Sequence, residues 1–230
     1  MSVDATAERP RAAMILAAGR GERMRPLSDS TPKPLLQVHG QPLIERHVRA
    51  LARAGITRIV INLAWLGRQI RDYLGDGARL GVSITYSEEE PRALETAGGI
   101  LRALPGLIPG PFAVVNGDIF TDYPFERLRI GPGYDAHIVL APNPPQHKNG
   151  DFGLENGKAL AKAAEQFTFI GVAAYREDFF RGCLDGVQPL KPLLLRSMAA
   201  GRCSAELFRG IWEDIGTPER LKALNAAGVQ

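Results

Sequence analysis

The stretch AAMILAAGRGERMRP, residues 12–26, runs from an unbroken apolar segment into two glycines and three arginines. The apolar part, residues 12–18, reads as a buried strand. Gly19 and Gly21 permit backbone conformations that turn amide N–H groups toward a ligand, and successive N–H groups of this kind make a concavity suited to phosphate oxygens. Two readings stay open at this point: a solvated basic turn, or a loop that holds an anion. Arg20, Arg23 and Arg25 add local positive charge. Close by, TPKPLL (31–36) sets Lys33 between two prolines that restrict the backbone on either side of it. Position 24 is Met, so GxGxxG is incomplete, and no Walker lysine spacing follows; a dinucleotide fingerprint and a P-loop are both excluded.

Working outward, apolar runs alternate with amphipathic ones. PLIERHVRALARAG (42–55) predicts a helix ending at Gly55, with Leu43, Ile44, His47, Val48 and Leu51 on one face. TRIVINL (57–63), GVSITYSE (81–88) and PFAVVNGD (111–118) predict strands; LGRQIRDYLGDG and TAGGILRALP predict helices between them. Strands with little polar alternation, separated by helices, indicate an α/β fold: a Rossmann-like, mostly parallel twisted sheet flanked by helices. In such sheets ligands sit beyond the carboxyl ends of the strands. Farther along, YDAHIVLAP (134–142) and FTFIGVAAY (167–175) read as strands. The Pro-, Gly- and polar-rich segment between them reads as a loop and hairpin that covers a pocket. DFFRGCLDG and PLKPLLLRSMAAG look helical, and Thr217 with Pro218 marks the start of a last helix. Residues 1–11 lack an apolar signal-peptide core and read as a disordered tail, leaving 12–230 as a single domain.

The bulk properties of the 230 residues narrow the classes further. A net charge of +3 and the lack of a basic stripe with interleaved aromatics argue against nucleic acid. No long apolar run suggests a membrane span. Two cysteines in unrelated contexts fit a reducing cytoplasm. The four histidines share no spacing, and His47 falls on a helix face.

Two carboxylates stand out. Asp118 closes VVNGD where an apolar strand ends, the place for either a turn residue or a ligand to Mg²⁺, which shares its oxygen shell with substrate phosphates. Asp214 in WEDIGT is the second, and alternation alone does not choose between it and Glu213. Gly98 and Gly99 could let a flat base lie on the backbone or could ease helix packing. The acidic run Glu88–Glu90 reads as a solvated strand end. An amide-rich loop, Arg, Lys and two carboxylates together suit a nucleoside triphosphate with Mg²⁺. No Ser–His or Cys–His pairing points to a covalent nucleophile.

On these residues the chain resembles the sugar-1-phosphate nucleotidyltransferases. LAAGRGERMRPLSDSTPKPLL (Leu16–Leu36) follows the pattern LAxGxGTRLxPLTxxxPKPLL, with Glu22 and Met24 standing where Thr and Leu are usual. GQPLIERHVRAL, NGD (116–118) and WEDIGTPERL continue the match in order. ERMRPL, NLAWLG, LETAGGI and NGDIFTDY are most similar to the short bacterial N-acetylmuramate-1-phosphate uridylyltransferases of cell-wall (peptidoglycan) recycling.

The resemblance implies a cytoplasmic enzyme that joins UTP and a sugar 1-phosphate. It places Arg23 at the departing pyrophosphate and Lys33 at the α-phosphate and sugar phosphate. Asp118 and Asp214 would ligate Mg²⁺. Ala17, Ala18, Gly19 and Gly21 would hold the nucleotide, and Gly98 and Gly99 would border the base. Asn116, Asp151, Phe152 and Glu165 would face the acceptor. The Gln that reads uracil in many relatives is missing, and the TAGG segment also resembles mannose-1-phosphate guanylyltransferases. A guanylyltransferase for mannose or heptose 1-phosphate, or a silent sugar-nucleotide sensor, are the alternatives. No second acyltransferase domain is implied, and a monomer or weak dimer is expected.

Overall fold

The computed structural model describes residues 6–89 and 93–227. In chain order its first half contains β1 (Ala12–Leu16), α1 (Leu27–Ser30), the short ribbon β2 (Gln37–Val38) and β3 (Gln41–Pro42), and α2 (Leu43–Arg53). β4 (Arg58–Leu63), α3 (Gly67–Leu74), β5 (Ser83–Glu88), α4 (Glu95–Ala103), β6 (Phe112–Asn116) and β7 (Ile119–Thr121) follow. The second half adds β8 (Ala136–Ala141), β9 (Phe152–Glu155), β10 (Lys158–Leu160), β11 (Gln166–Tyr175) and α5 (Leu190–Ala199). It closes with β12 (Cys203–Leu207), β13 (Trp212–Asp214) and α6 (Pro218–Ala226).

Nine strands form one sheet in the order β5-β4-β1-β6-β11-β8-β12-β10-β9. β5, β4, β1 and β6 are parallel; β4, β1 and β6 have near-continuous apolar sequences with both faces covered, whereas β5 (SITYSE) is a partly exposed edge strand. Along β1 the side chains alternate between two cores. Ala13 and Ile15 join the helices α2 and α3, while Ala12 and Met14 join α4 and α5. Leu16 lies opposite Asn62 of β4 and Asn116 of β6, so three carboxyl ends finish level. A site is expected there.

Beyond β6 the parallel pairing ends. β11 runs antiparallel to both β6 and β8, and β12 pairs parallel with β8. The sheet is therefore mixed: its larger parallel part is the set of strands that α2, α3 and α4 connect, and β8–β12 is a second parallel pair. The hairpin β9–β10 turns through Asn156 and Gly157, both at positive φ, the residues a two-residue turn demands.

Three local expectations change. Residues 6–11 are not a free tail: Glu8 pairs with Ile130 through backbone hydrogen bonds of 3.0 and 2.9 Å, its carboxylate meets Arg176 at 2.8 Å, and Pro10 is buried. Residues 1–5 of that tail and Glu90 of the acidic run lie outside the described residues. DFFRGCLDG is helical only over the single turn Glu177–Phe180, because Gly182 and Gly186 at positive φ carry the chain away. CSAEL (203–207) and WED (212–214) form strands where no element was expected, the first with strict apolar–polar alternation. No helix among the described residues is long and apolar enough to cross a membrane.

Candidate active site

The loop after β1 is held from beneath. Met24 is fully buried with Leu36, Val38, Leu43, Ile215 and Leu221, which fastens the loop to α2 and α6. Gly21 adopts φ +66°, and its carbonyl accepts from Met24 N–H and from Ser28 Oγ, each at 2.8 Å. The three arginines diverge. Arg20 stacks on the Trp65 ring at 4.6 Å, and Arg25 pairs with Asp29 at 3.1 Å. Arg23 has no ion pair among the described residues and lines a cavity of about 490 Å³.

Lys33 stands at the centre. Its side chain is nearly buried, with Nζ 2.6 Å from Asp118 Oδ2 and 3.9 Å from Asp214 Oδ1. Asp118 follows β6 through Gly117, where a Cβ would lie 2.7 Å from the Leu16 carbonyl oxygen. Asp214 arrives through the antiparallel ribbon β7–β13, in which Asp214 is paired with Ile119. That register decides between neighbours. Asp214 turns toward Lys33, while Glu213 points the other way and is exposed. Arg220, in the first turns of α6, sits 3.3 Å from Asp214 Oδ2. Thr217 caps that helix, its Oγ1 accepting from Arg220 N–H.

The carboxylate-bearing ribbon is braced by a buried imidazole: His47 Nε2 and the Ile119 carbonyl oxygen are 3.0 Å apart. Burial pushes the His47 imidazole down to about 4, against the raising influence of that hydrogen bond and of Asp118. The unfolded chain thus binds a proton near 6.5 that the folded chain refuses until about 4. Stability is full above the higher value and falls as the pH drops between the two. Urea titrations across that range should show the decline, and His47→Gln should flatten it. An unchanged slope in the variant would assign the decline to other groups.

Two carboxylates gathered around one ammonium form a donor set for a hard divalent cation that takes its other ligands from phosphate and water. No cluster of three or more His, Cys, Asp or Glu suited to a metal exists among the described residues, so retention of the ion would depend on substrate oxygens.

The first cavity extends from Arg23 and Lys33 past Ala17, Ala18, Gly19 and Gly21 to Asn62, Glu89 and Thr96. Ala17 N–H is already committed to Asn62 Oδ1 at 2.7 Å, so it offers a ligand no donor. Gly98 and Gly99 do not line this space, and packing accounts for both. A Cβ on Gly98 would lie 2.2 Å from the Gly186 carbonyl oxygen, and one on Gly99 would lie 2.4 Å from Glu89 Oε1.

A second cavity of about 450 Å³ shares Arg23, Asn116 and Asp118 with the first. Asp151 lines it, together with Thr168, Phe169, Trp212 and Arg220. Asp151 Oδ2 accepts from Phe169 N–H at 2.9 Å, and Trp212 Nε1 donates to the Ile170 carbonyl at 3.0 Å. Gly171, at positive φ, marks an irregularity in β11; a Cβ there would meet Asn116 Nδ2 at 2.4 Å. Phe152 and Glu165 are not part of this wall. Phe152 faces the core, and Glu165 is exposed in the bend before β11. Asn62, Glu89, Trp212 and Arg220 were not among the expected site residues. Asn62 carried a signal, since it is the one polar side chain within the apolar run of β4.

Two cavities meeting at a lysine, two carboxylates and an arginine, above a half-parallel sheet, define a nucleotide-transferring enzyme. The chain belongs to the nucleotidyl transferase family, whose sequence profile matches residues 12–154. It is 49% identical to the N-acetylmuramate alpha-1-phosphate uridylyltransferase of Neisseria meningitidis serogroup B, across 93% of this chain and 96% of that protein. It is 31% identical to the enzyme of the same name from Caulobacter vibrioides, across 94% and 96% of the two chains. The solved structure of HddC from Yersinia pseudotuberculosis complexed with GMP-PN superimposes with a TM-score of 0.77 at 19% identity, covering 94% of this chain and 99% of that one.

Proposed function

We propose that the protein transfers a uridylyl group from UTP to a sugar 1-phosphate, with N-acetylmuramate 1-phosphate as the acceptor, in peptidoglycan recycling. The observation that carries this reading is the 49% identity extending over nearly the whole length of both chains. The geometry agrees with it. UTP takes the first cavity with its phosphates toward Arg23 and Lys33, and the acceptor takes the second. Their reacting phosphates then meet where the cavities share Asn116 and Asp118.

A phosphate oxygen of the acceptor attacks the α-phosphorus in line, forming one O–P bond as the bond to pyrophosphate breaks. Lys33 supports charge on the oxygens of the α-phosphate, and Arg23 receives the departing pyrophosphate. Asp118 and Asp214 would hold Mg²⁺, which would supply neutralisation of phosphate charge when bound. No protein nucleophile is required.

A panel of nucleoside triphosphates and sugar 1-phosphates, scored by pyrophosphate release, tests the reading. UTP with N-acetylmuramate 1-phosphate should give the highest kcat/KM. A best pair of GTP with mannose or heptose 1-phosphate would replace the substrate assignment. Tight binding of a UDP-sugar with no Mg²⁺-dependent pyrophosphate release would replace the enzyme with a sensor.

A further inference from the structure

Glu89 is the least expected group in the first cavity. It is 2% exposed, and no Lys, Arg or His pairs with it among the described residues. Two hydrogen bonds hold its carboxylate instead. Asn62 Nδ2 donates to Oε1 at 2.6 Å, and Leu94 N–H donates to Oε2 at 2.8 Å. Asn62 Oδ1 in turn accepts from Ala17 N–H. The chain of bonds spans the cavity floor from the loop after β1 to the residue before α4. Both of its ends are backbone N–H groups, which can only donate.

This fixes the polarity of every link. Asn62 must present oxygen to Ala17 and nitrogen to Glu89, and residue 89 must accept at both of its terminal atoms. A carboxylate satisfies that demand. A carboxamide would leave two N–H groups facing each other in a buried place, which is costly. The missing Cβ at Gly99 makes the room.

We propose that Glu89 reads the nucleotide base. The inference rests on placing the triphosphate in this cavity. With the phosphates at the Arg23–Lys33 end, the base reaches the end lined by Asn62, Glu89 and Thr96. The lone pairs left on Glu89 offer that end an acceptor with no donor. Uracil N3–H and guanine N1–H satisfy it. Cytosine and adenine place a ring nitrogen lone pair at the corresponding position, and the two acceptors repel. The carboxylate thereby supplies base selection without the glutamine of related enzymes.

Calorimetric binding of UTP, CTP and inorganic tripolyphosphate, in the presence of Mg²⁺, tests this with the wild type, Glu89→Gln and the double variant Asn62→Asp/Glu89→Gln. The double variant moves the carboxylate one link along the chain. The side chain at 62 then accepts from Ala17 and from the amide at 89, whose oxygen accepts from Leu94. It should unfold at the wild-type temperature, which Glu89→Gln alone should not. Wild type should prefer UTP to CTP by about tenfold or more. Both variants should lose that preference while binding tripolyphosphate as wild type does. Recovery of the preference in the double variant would reduce Glu89 to a structural strut and overturn the proposal. So would a single variant that keeps it. GTP and ATP are titrated in the same way: a wild type that selects GTP over ATP, with the selection lost in both variants, would retire the uridylyl reading and leave the role of Glu89 standing.

Discussion

Lys33→Ala is expected to lower kcat by about 10²- to 10³-fold, the range for removing one charge-stabilising donor from a reacting centre. The side chain is almost wholly buried, yet it packs no core. It ends between Asp118 and Asp214, whose side chains remain 38% and 32% exposed. Water can therefore solvate both carboxylates when the ammonium is removed, and stability should change by only about 1 kcal/mol. Thermal unfolding and steady-state kinetics separate the two effects. Lys33→Arg should stay impaired, because a planar guanidinium fork cannot replace a compact ammonium in a slot bounded by Pro32 and Pro34. Activity close to wild type in the alanine variant would remove Lys33 from the reaction.

The parts of this site that were readable in advance share one property: each lies at a boundary marked in the local sequence. β1 is apolar to its end, and the glycine loop follows at once. Asp118 follows a strand after a single glycine, and Lys33 is framed by prolines. Such positions are set by chain-local constraints. Asp214 belonged to no such boundary. It reaches Lys33 through a ribbon of two three-residue strands, and only the pairing of β13 with β7 separates it from Glu213. Phe152 and Glu165, expected to face the acceptor, do not line the second cavity, for the same reason. The wall of that cavity is made by the irregularity in β11 around Gly171 and by Trp212 from another sheet, neither of which leaves a periodic trace. Glu89 was hidden in an acidic run that resembles a solvated strand end. What distinguishes it from Glu88 is burial beneath Gly99, a tertiary fact.

Asn62 and Asn116 differ in role despite equivalent places. Both lie in register with Leu16 at the carboxyl edge of the sheet. Asn62 is consumed by two internal hydrogen bonds, whereas Asn116 borders both cavities. Equal strand position thus gives one residue that shapes the floor and one whose side chain lies open to both cavities. The change Asn62→Asp, made without a change at Glu89, would accordingly set two carboxylates against each other in a buried place.

Asp118→Asn should reduce kcat by a similar factor, about 10²- to 10³-fold, and should also raise the Mg²⁺ concentration needed for half-maximal rate. The substitution keeps the side chain's shape and removes one charge. Asp214 is left as the sole carboxylate beside Lys33 Nζ, at 3.9 Å. A lysine released from its 2.6 Å partner is free to meet nucleotide phosphate, so KM for the nucleotide should hold or fall while kcat collapses. That split distinguishes loss of the cation site from loss of nucleotide binding. In the proposed reaction Lys33 and Asp118 act on the same phosphates, so their effects should not add: the double variant Lys33→Ala/Asp118→Asn should be little slower than either single one. Multiplicative losses would mean that the two residues serve separate steps. An Asp118→Asn enzyme with wild-type Mg²⁺ dependence would place the metal elsewhere, and the contact between Lys33 and Asp118 would then be a structural ion pair.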